Sequence, residues 1–168
     1  LSCLKHYAAG GIPVNGINEV PSEISERTLR SIFLPPFKEG IEEGSWSIMA
    51  AHNEIGGVPC HASEFLLTEM LREKWGFEGF VIADWKDIAK LEWMHHIAKN
   101  KKEAIQLAIG AGIDMNNHGA NFIEPLAELV EEDVIPEKRI NRTVNTILKA
   151  TCELGLFENR YVSKENAN

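Results

Sequence analysis

Four short apolar runs punctuate the chain, at residues 1–8, 45–51, 79–85 and 112–116, and helical spacing of apolar positions fills most of what lies between them. A loop rich in Gly, Asn and Pro, 10–21, follows the first run. It leads into a helix over 25–33, with Ser25 placed to cap its first turn and Thr28 standing where a capping box usually has an acid. Pro35 and Pro36 should interrupt that helix, since each lacks an N–H and crowds the turn before it. A second helical piece continues to about residue 43. The second run is followed by a loop over 52–60 and a helix over 63–75 that gathers Leu66, Leu67, Met70 and Leu71 on one face. A helix over 101–111 precedes the fourth run. Helices over 122–133 and 136–154 close the chain, with Pro136 in a first-turn position and Gly155 as the stop.

Strand and helix therefore alternate, and the strands are continuous apolar runs, as strands covered on both faces by crossover helices should be. The pattern predicts an α/β fold of four parallel βα units, either a small doubly wound sheet or roughly half of a TIM-type (β/α)8 barrel. Gly10-Gly11 and Gly56-Gly57 fit neither GxGxxG nor GxxxxGK[ST], which weakens a nucleotide-binding sheet and favours the barrel. Residues 1–158 are expected to form the partial barrel, and 159–168 a C-terminal tail or the start of a linker.

Composition narrows the function classes. The 168 residues suffice for one domain with its own core, and 44% hydrophobic with 25% charged residues is ordinary for a globular protein. No stretch approaches the roughly 18 apolar residues of a membrane span. With 17 Lys+Arg against 25 Asp+Glu the formal charge is −8, which argues against nucleic acid, whose binders need a clustered basic footprint. The one basic cluster, around Lys99 to Lys102, reads as a solvated loop or helix start. Cys3, Cys60 and Cys152 are far apart and show no zinc spacing, and no HExxH or His-x-His pattern supports a metal; no cofactor is implied. The first residues resemble neither a signal peptide nor a start, so the chain is expected to begin inside a longer sequence.

Polar residues collect where the strands end: Lys5-His6, His52-Asn53-Glu54, Asp84-Trp85, and Asp114 with Asn116-Asn117-His118. In parallel α/β folds the carboxyl ends of the strands form the working face, so all four clusters should converge on one cleft. Asp84 is the sharpest candidate, a carboxylate at a strand terminus. The ordinary reading is a turn or capping aspartate, but Trp85 beside it suits the apolar face of a sugar ring. Lys5 and His6 offer a cation and a donor to hydroxyls, with strand alternation putting one on each face; equally, Lys5 could snorkel from a rim and His6 sit satisfied in the core. His52 and Asn53 could orient a carboxylate or simply form a turn. His95, His96 and His118 read as surface or packing residues.

Taken together, these motifs resemble the latter part of the barrel domain of glycoside hydrolase family 3, the β-glucosidase and β-xylosidase group. The resemblance rests on Lys5-His6-Tyr7, Ile24 to Arg30 with Phe33-Leu34-Pro35-Pro36-Phe37, Ser47 to Cys60, Trp75 to Trp85, Ala111 to Met115, and Leu154 to Phe157. It implies the last four βα units of the barrel and a retaining glycosidase acting on β-linked glucosides or xylosides. Asp84 would be the nucleophile, Lys5 and His6 the pair binding hydroxyls in the innermost subsite, Trp85 the aromatic near the aglycone, and His52 and Met49 further substrate contacts. His52 departs from the family's usual tyrosine, and Ala83 from its usual serine. The loop 10–21 has neither Asp nor His, which disfavours the N-acetylhexosaminidase branch. The implied partners are a β-linked oligosaccharide or glycoside, together with the missing half-barrel and a second α/β domain supplying the acid/base, or a second copy. A periplasmic or secreted full-length protein would fit. Two other readings are a non-catalytic carbohydrate-binding or assembly fragment, and a metal-dependent hydrolase using His6, His52 and Asp84.

Overall fold

The structure, a computed structural model, describes residues 1–119 and 121–161. Strands β1 (Cys3–Tyr7), β2 (Ser47–Ala50) and β5 (Phe80–Ile82) form a parallel sheet in the order β1-β2-β5. The register pairs Leu4 with Ile48 and Ile48 with Val81. The fourth apolar run adds only a parallel bridge, Ile82 to Met115. It is nonetheless tied to β5: the Asp114 and Met115 N–H groups both donate to Val81 O, at 2.9 and 3.0 Å, and Ala83 N–H donates to Met115 O at 2.8 Å. Each parallel strand thus lies beside the next one in sequence, and the order never reverses.

The helices form where the apolar spacing places them. Ser25 Oγ accepts the Thr28 N–H at 3.1 Å and meets the Thr28 hydroxyl at 2.9 Å, so the serine caps the helix and the two side chains bond each other. The short helix α1 (Glu26–Thr28) runs into a π-helical turn, Leu29–Phe33. Pro35 then opens α2 (Pro35–Glu42). The proline pair begins a new helix rather than breaking the path, because a first-turn residue needs no N–H and Leu34 keeps a helical backbone. A π-helical segment, Phe65–Lys74, buries Leu66, Leu67, Met70 and Leu71 as the spacing required.

Two elements were not legible. The stretch 52–60, read as a loop, contains a hairpin of β3 (Glu54–Ile55) and β4 (Val58–Pro59), turned through Gly56 and Gly57, both at positive φ as a tight two-residue turn demands. Helix α3 (Asp87–Trp93) has no clear apolar period, because two of its four buried positions are the charged Asp87 and Lys90, beside Ile88 and Leu91.

Helices α4 (Lys101–Ala111), α5 (Ile123–Glu131) and α6 (Glu137–Glu153) follow the expected spans. The Asn100 side chain caps α4 by accepting the Glu103 N–H at 3.0 Å. Gly112 ends it at φ +131°, where an added Cβ would come within 2.9 Å of Leu67 Cβ. Ile48, Val81 and Ile113 from the sheet meet Leu66, Leu67, Leu71, Leu91 and Ile105 from the helices in one fully buried core.

Outside that core, Val144 and Leu148 on α6 and Leu156 and Phe157 beyond it are exposed, as are Cys3, Lys5 and His6 on the outer strand β1. No described helix is long and apolar enough to cross a membrane. Of the tail expected at 159–168, residues 162–168 lie outside the described residues.

Candidate active site

The carboxyl ends of β1, β2 and β5 bring His6, His52 and Asp84 together. Asp84 follows β5 by two residues and its side chain is only 12% exposed. One carboxylate oxygen, Oδ1, accepts the Trp85 N–H at 2.6 Å. The other, Oδ2, lies 3.1 Å from His6 Nε2 and 3.1 Å from His52 Nε2. Neither ring nitrogen is aligned for a hydrogen bond, so Oδ2 is shielded from solvent, flanked by two imidazoles and still without an in-line donor. The two rings stack at 6.0 Å between centroids. His6 is the more open of the pair and His52 the more enclosed.

Behind this layer is a second set of charges that the sequence did not reveal as part of the site. His52 Nδ1 lies 2.7 Å from Asp87 Oδ2. Lys90 Nζ sits 2.7 Å from Asp87 Oδ1 and 2.7 Å from Glu19 Oε1, which ties the loop after β1 to α3. Burial by itself would lower the Lys90 ammonium, but the contacts with Asp87 and Glu19 outweigh it and hold its pKa above the ordinary lysine value.

His61, 2% exposed in the turn Cys60–Ala62, accepts the backbone N–H of Asp84 at Nε2, 3.0 Å away. Burial drives its pKa down to about 4, against the pull of Asp87. It is therefore neutral near pH 7. With Nε2 accepting, the ring proton sits on Nδ1, which faces Asp87 Oδ2 at 3.4 Å. His61, Asp87, Lys90 and Glu19 are the site residues that sequence reasoning missed. The available signal was Asp87 and Lys90 three apart between apolar positions, a helical spacing that would bury both.

The other candidates divide. Trp85 is 54% exposed at the rim and stacks face to face on His118, with ring centroids 3.9 Å apart and planes 11° from parallel, so His118 is a packing residue of the site. Lys5 and His6 do not alternate as expected. The pairing of β1 with β2 slips between Leu4 and Tyr7, both side chains are exposed, and both line a cavity of about 500 Å³ beside Gly10, Gly11 and Phe33. Met49 is half-buried on β2, paired with Ile82. Asn53 does not orient a carboxylate; it is buried and its amide donates to Ser22 Oγ at 3.0 Å, anchoring the loop. Glu54 lies 3.3 Å from His95.

The expectation that Asp114 joins the cleft is corrected. Its carboxylate turns back along β5 to accept the Val81 N–H at 2.9 Å, and it pairs with Arg72 and with Arg139, the latter at 2.9 Å. Two half-buried guanidinium partners make this a structural cluster, while His118 of the fourth polar group stacks at the site.

A carboxylate held in this way can act as a nucleophile or as an electrostatic partner to developing positive charge. Comparison with known proteins bears on that choice. The model of the glycosyl hydrolase family 3 N-terminal domain matches residues 1–150. A lysosomal beta glucosidase of Dictyostelium discoideum is 42% identical over 160 residues, covering 94% of this chain and 20% of that protein. A beta-xylosidase of Formosa agariphila is 38% identical over 168 residues, covering 94% of this chain and 23% of its own length. The crystal structure of a beta-glucosidase from Listeria innocua superposes with a TM-score of 0.91 at 32% identity, covering 98% of this chain and 22% of that one. The chain spans about a fifth of the length of these relatives.

Proposed function

This chain belongs to glycosyl hydrolase family 3, and from that premise we propose that it is the nucleophile-bearing part of a retaining β-glycosidase, with Asp84 attacking the anomeric carbon of a β-linked glucoside or xyloside. The observation that carries the reading is the convergence of His6 and His52 on one oxygen of a nearly buried aspartate at the carboxyl end of a parallel strand. A retaining mechanism needs an ionised carboxylate beneath the sugar and a separate protonated acid on the leaving-group side, the two carboxyls about 5 to 5.5 Å apart.

Asp84 fits the first role. Its Oδ1 is fixed by the Trp85 N–H, while Oδ2 has no hydrogen bond to give up on attack. As the bond to the leaving group stretches, the ring gains oxocarbenium character, and the carboxylate beneath it stabilises that charge before closing to a glycosyl ester. Lys5 and His6, exposed beside the cleft, would bind ring hydroxyls, and those contacts accelerate the reaction to the extent that they tighten in the transition state. Trp85 would offer its open edge to the aglycone, and Met49 and His52 would line the wall.

The nearby carboxylates are committed elsewhere, Asp87 to Lys90 and two imidazoles, Glu19 to Lys90. The family resemblance implies that the acid/base is supplied by a second α/β domain of the complete protein. The first half of a (β/α)8 barrel would cover the exposed edge of β1 and the apolar residues of α6, and the sequential strand order supports that arrangement. The names of a lysosomal and of a periplasmic relative support a location outside the cytosol, periplasmic or secreted, for the complete protein.

The test is kinetic. In the complete polypeptide, Asp84→Ala should cut hydrolysis of an aryl β-glucoside by about four orders of magnitude, the scale of losing a triad-type catalytic group. Added azide should restore turnover as the α-glycosyl azide. Hydrolysis at the wild-type rate in Asp84→Ala ends the proposal.

A further inference from the structure

Asp87 is placed to govern the nucleophile through two rings at once. It lies in the first turn of α3, 2% exposed, with Oδ2 facing two imidazoles: His52 Nδ1 at 2.7 Å and His61 Nδ1 at 3.4 Å. The far nitrogen of each ring meets Asp84. His52 Nε2 lies 3.1 Å from Asp84 Oδ2, and His61 Nε2 accepts the Asp84 backbone N–H at 3.0 Å. One buried carboxylate thus reaches the side chain of Asp84 by one route and its backbone by another.

We propose that Asp87 is the positioning residue of the site, fixing His52 beside the carboxylate of Asp84 and His61 on its backbone N–H so that Asp84 keeps its attacking geometry; this rests on reading Asp84 as the nucleophile. An imidazole that is not oriented can carry its proton on either nitrogen, and the other tautomer of His61 would put an N–H against the Asp84 N–H. The Asp87 carboxylate accepts and never donates while ionised, so each ring must turn an N–H, at Nδ1, toward it. Lys90 supplies the compensating ammonium at 2.7 Å and is held in turn by Glu19. Burial pushes the Cys60 thiol up to about 12, leaving it neutral. Asp84, His52 and His61 complete the surroundings.

A purely structural Asp87, there to neutralise Lys90, would lower stability when replaced and leave the chemistry of folded molecules alone. The two roles separate in the complete polypeptide, using a 2-deoxy-2-fluoro-β-glucosyl probe with a good leaving group. In Asp87→Asn, the rate constant for covalent labelling of Asp84 should fall roughly 10- to 100-fold while the probe concentration at half-maximal rate changes less than about threefold, because misplacement acts on the reacting geometry and not on sugar contacts. Asp114→Asn, a buried acid outside the cleft, serves as the stability control and should label at the wild-type rate. Nitrogen-detected NMR of the wild-type protein should show His61 protonated at Nδ1. Labelling of Asp84 at the wild-type rate in Asp87→Asn, an equal loss in Asp114→Asn, or a His61 proton on Nε2 would each overturn the assignment. Should Asp87→Asn not fold, Asp87→Glu, which keeps a carboxylate but displaces it by one methylene, should show the same loss of labelling rate at an unchanged half-maximal concentration, and labelling at the wild-type rate would overturn the assignment. A wild-type label on some other carboxylate refutes the nucleophile reading itself, a result distinct from all of these.

Discussion

His52 bridges two carboxylates, with Nε2 3.1 Å from Asp84 Oδ2 and Nδ1 2.7 Å from Asp87 Oδ2. With its Nδ1 N–H turned to Asp87, the ring faces Asp84 with Nε2 and no polar hydrogen, whereas a phenol at this position would present one to Asp84. His52→Tyr is therefore expected to keep kcat/KM for an aryl β-glucoside within about tenfold of wild type, whereas His52→Ala should lose roughly 100-fold, the usual scale for a positioned polar group. Equal losses in the two variants would show that the imidazole itself, and not a polar side chain of that reach, is what the site needs.

The neutral, buried His61 makes folding acid-sensitive in a defined window. Its folded-state pKa, about 4, lies below the ordinary value of roughly 6.5. Below pH 6.5 the unfolded chain takes up a proton that the folded ring refuses, so stability is complete above that pH and falls toward pH 4. At pH 5 the loss from this group is about 2 kcal/mol. Urea denaturation at pH 7 and pH 5 should show a larger decrease for wild type than for His61→Gln. A difference of zero between the two proteins contradicts the assignment of a neutral ring.

Gly112 ends α4 at φ +131°, where a Cβ would meet Leu67 Cβ at 2.9 Å and Leu67 O at 3.2 Å. Gly112→Ala combines backbone strain with overpacking and should cost about 2 to 4 kcal/mol. Thermal unfolding measures it. By contrast, Gly110 has nothing within 4 Å of an added Cβ, and Gly110→Ala in the same helix should leave the melting temperature unchanged or raised.

Asp114 is buried between Arg72 and Arg139 and also accepts the Val81 N–H. Asp114→Ala should destabilise by roughly 3 to 5 kcal/mol, because it strands two guanidinium groups without their partner. KM for the folded fraction should not change, since the carboxylate faces away from His6 and His52. Chemical denaturation and steady-state kinetics together distinguish this acid from Asp84.

How far these features were legible follows from how each signals itself. The four apolar runs and the helices over 63–75, 101–111 and 136–154 announce themselves through period, since Leu66, Leu67, Met70 and Leu71 are buried for the reason their spacing implies. Asp84 was legible as a polar residue at the end of an apolar strand, and His6 and His52 by the same rule. Asp87 and Lys90 were not, because a charged pair that neutralises itself inside the fold looks in sequence like a solvated turn. His61 gave no signal either: its role is set by the Asp84 N–H, 23 positions away along the chain. Asp114 was misassigned for the converse reason. A polar residue after an apolar run points toward the cleft only if no guanidinium claims it first, and Arg72 and Arg139 come from helical elements remote in sequence.

The most direct test of the central claim is to identify the carboxylate that becomes glycosylated. The complete polypeptide is incubated with 2,4-dinitrophenyl 2-deoxy-2-fluoro-β-glucoside, digested at low pH, and the modified peptide sequenced by mass spectrometry. The label is predicted on Asp84, within the stretch Phe80 to Lys86. A glycosyl ester on any other residue, or inactivation without a covalent adduct, would contradict the account.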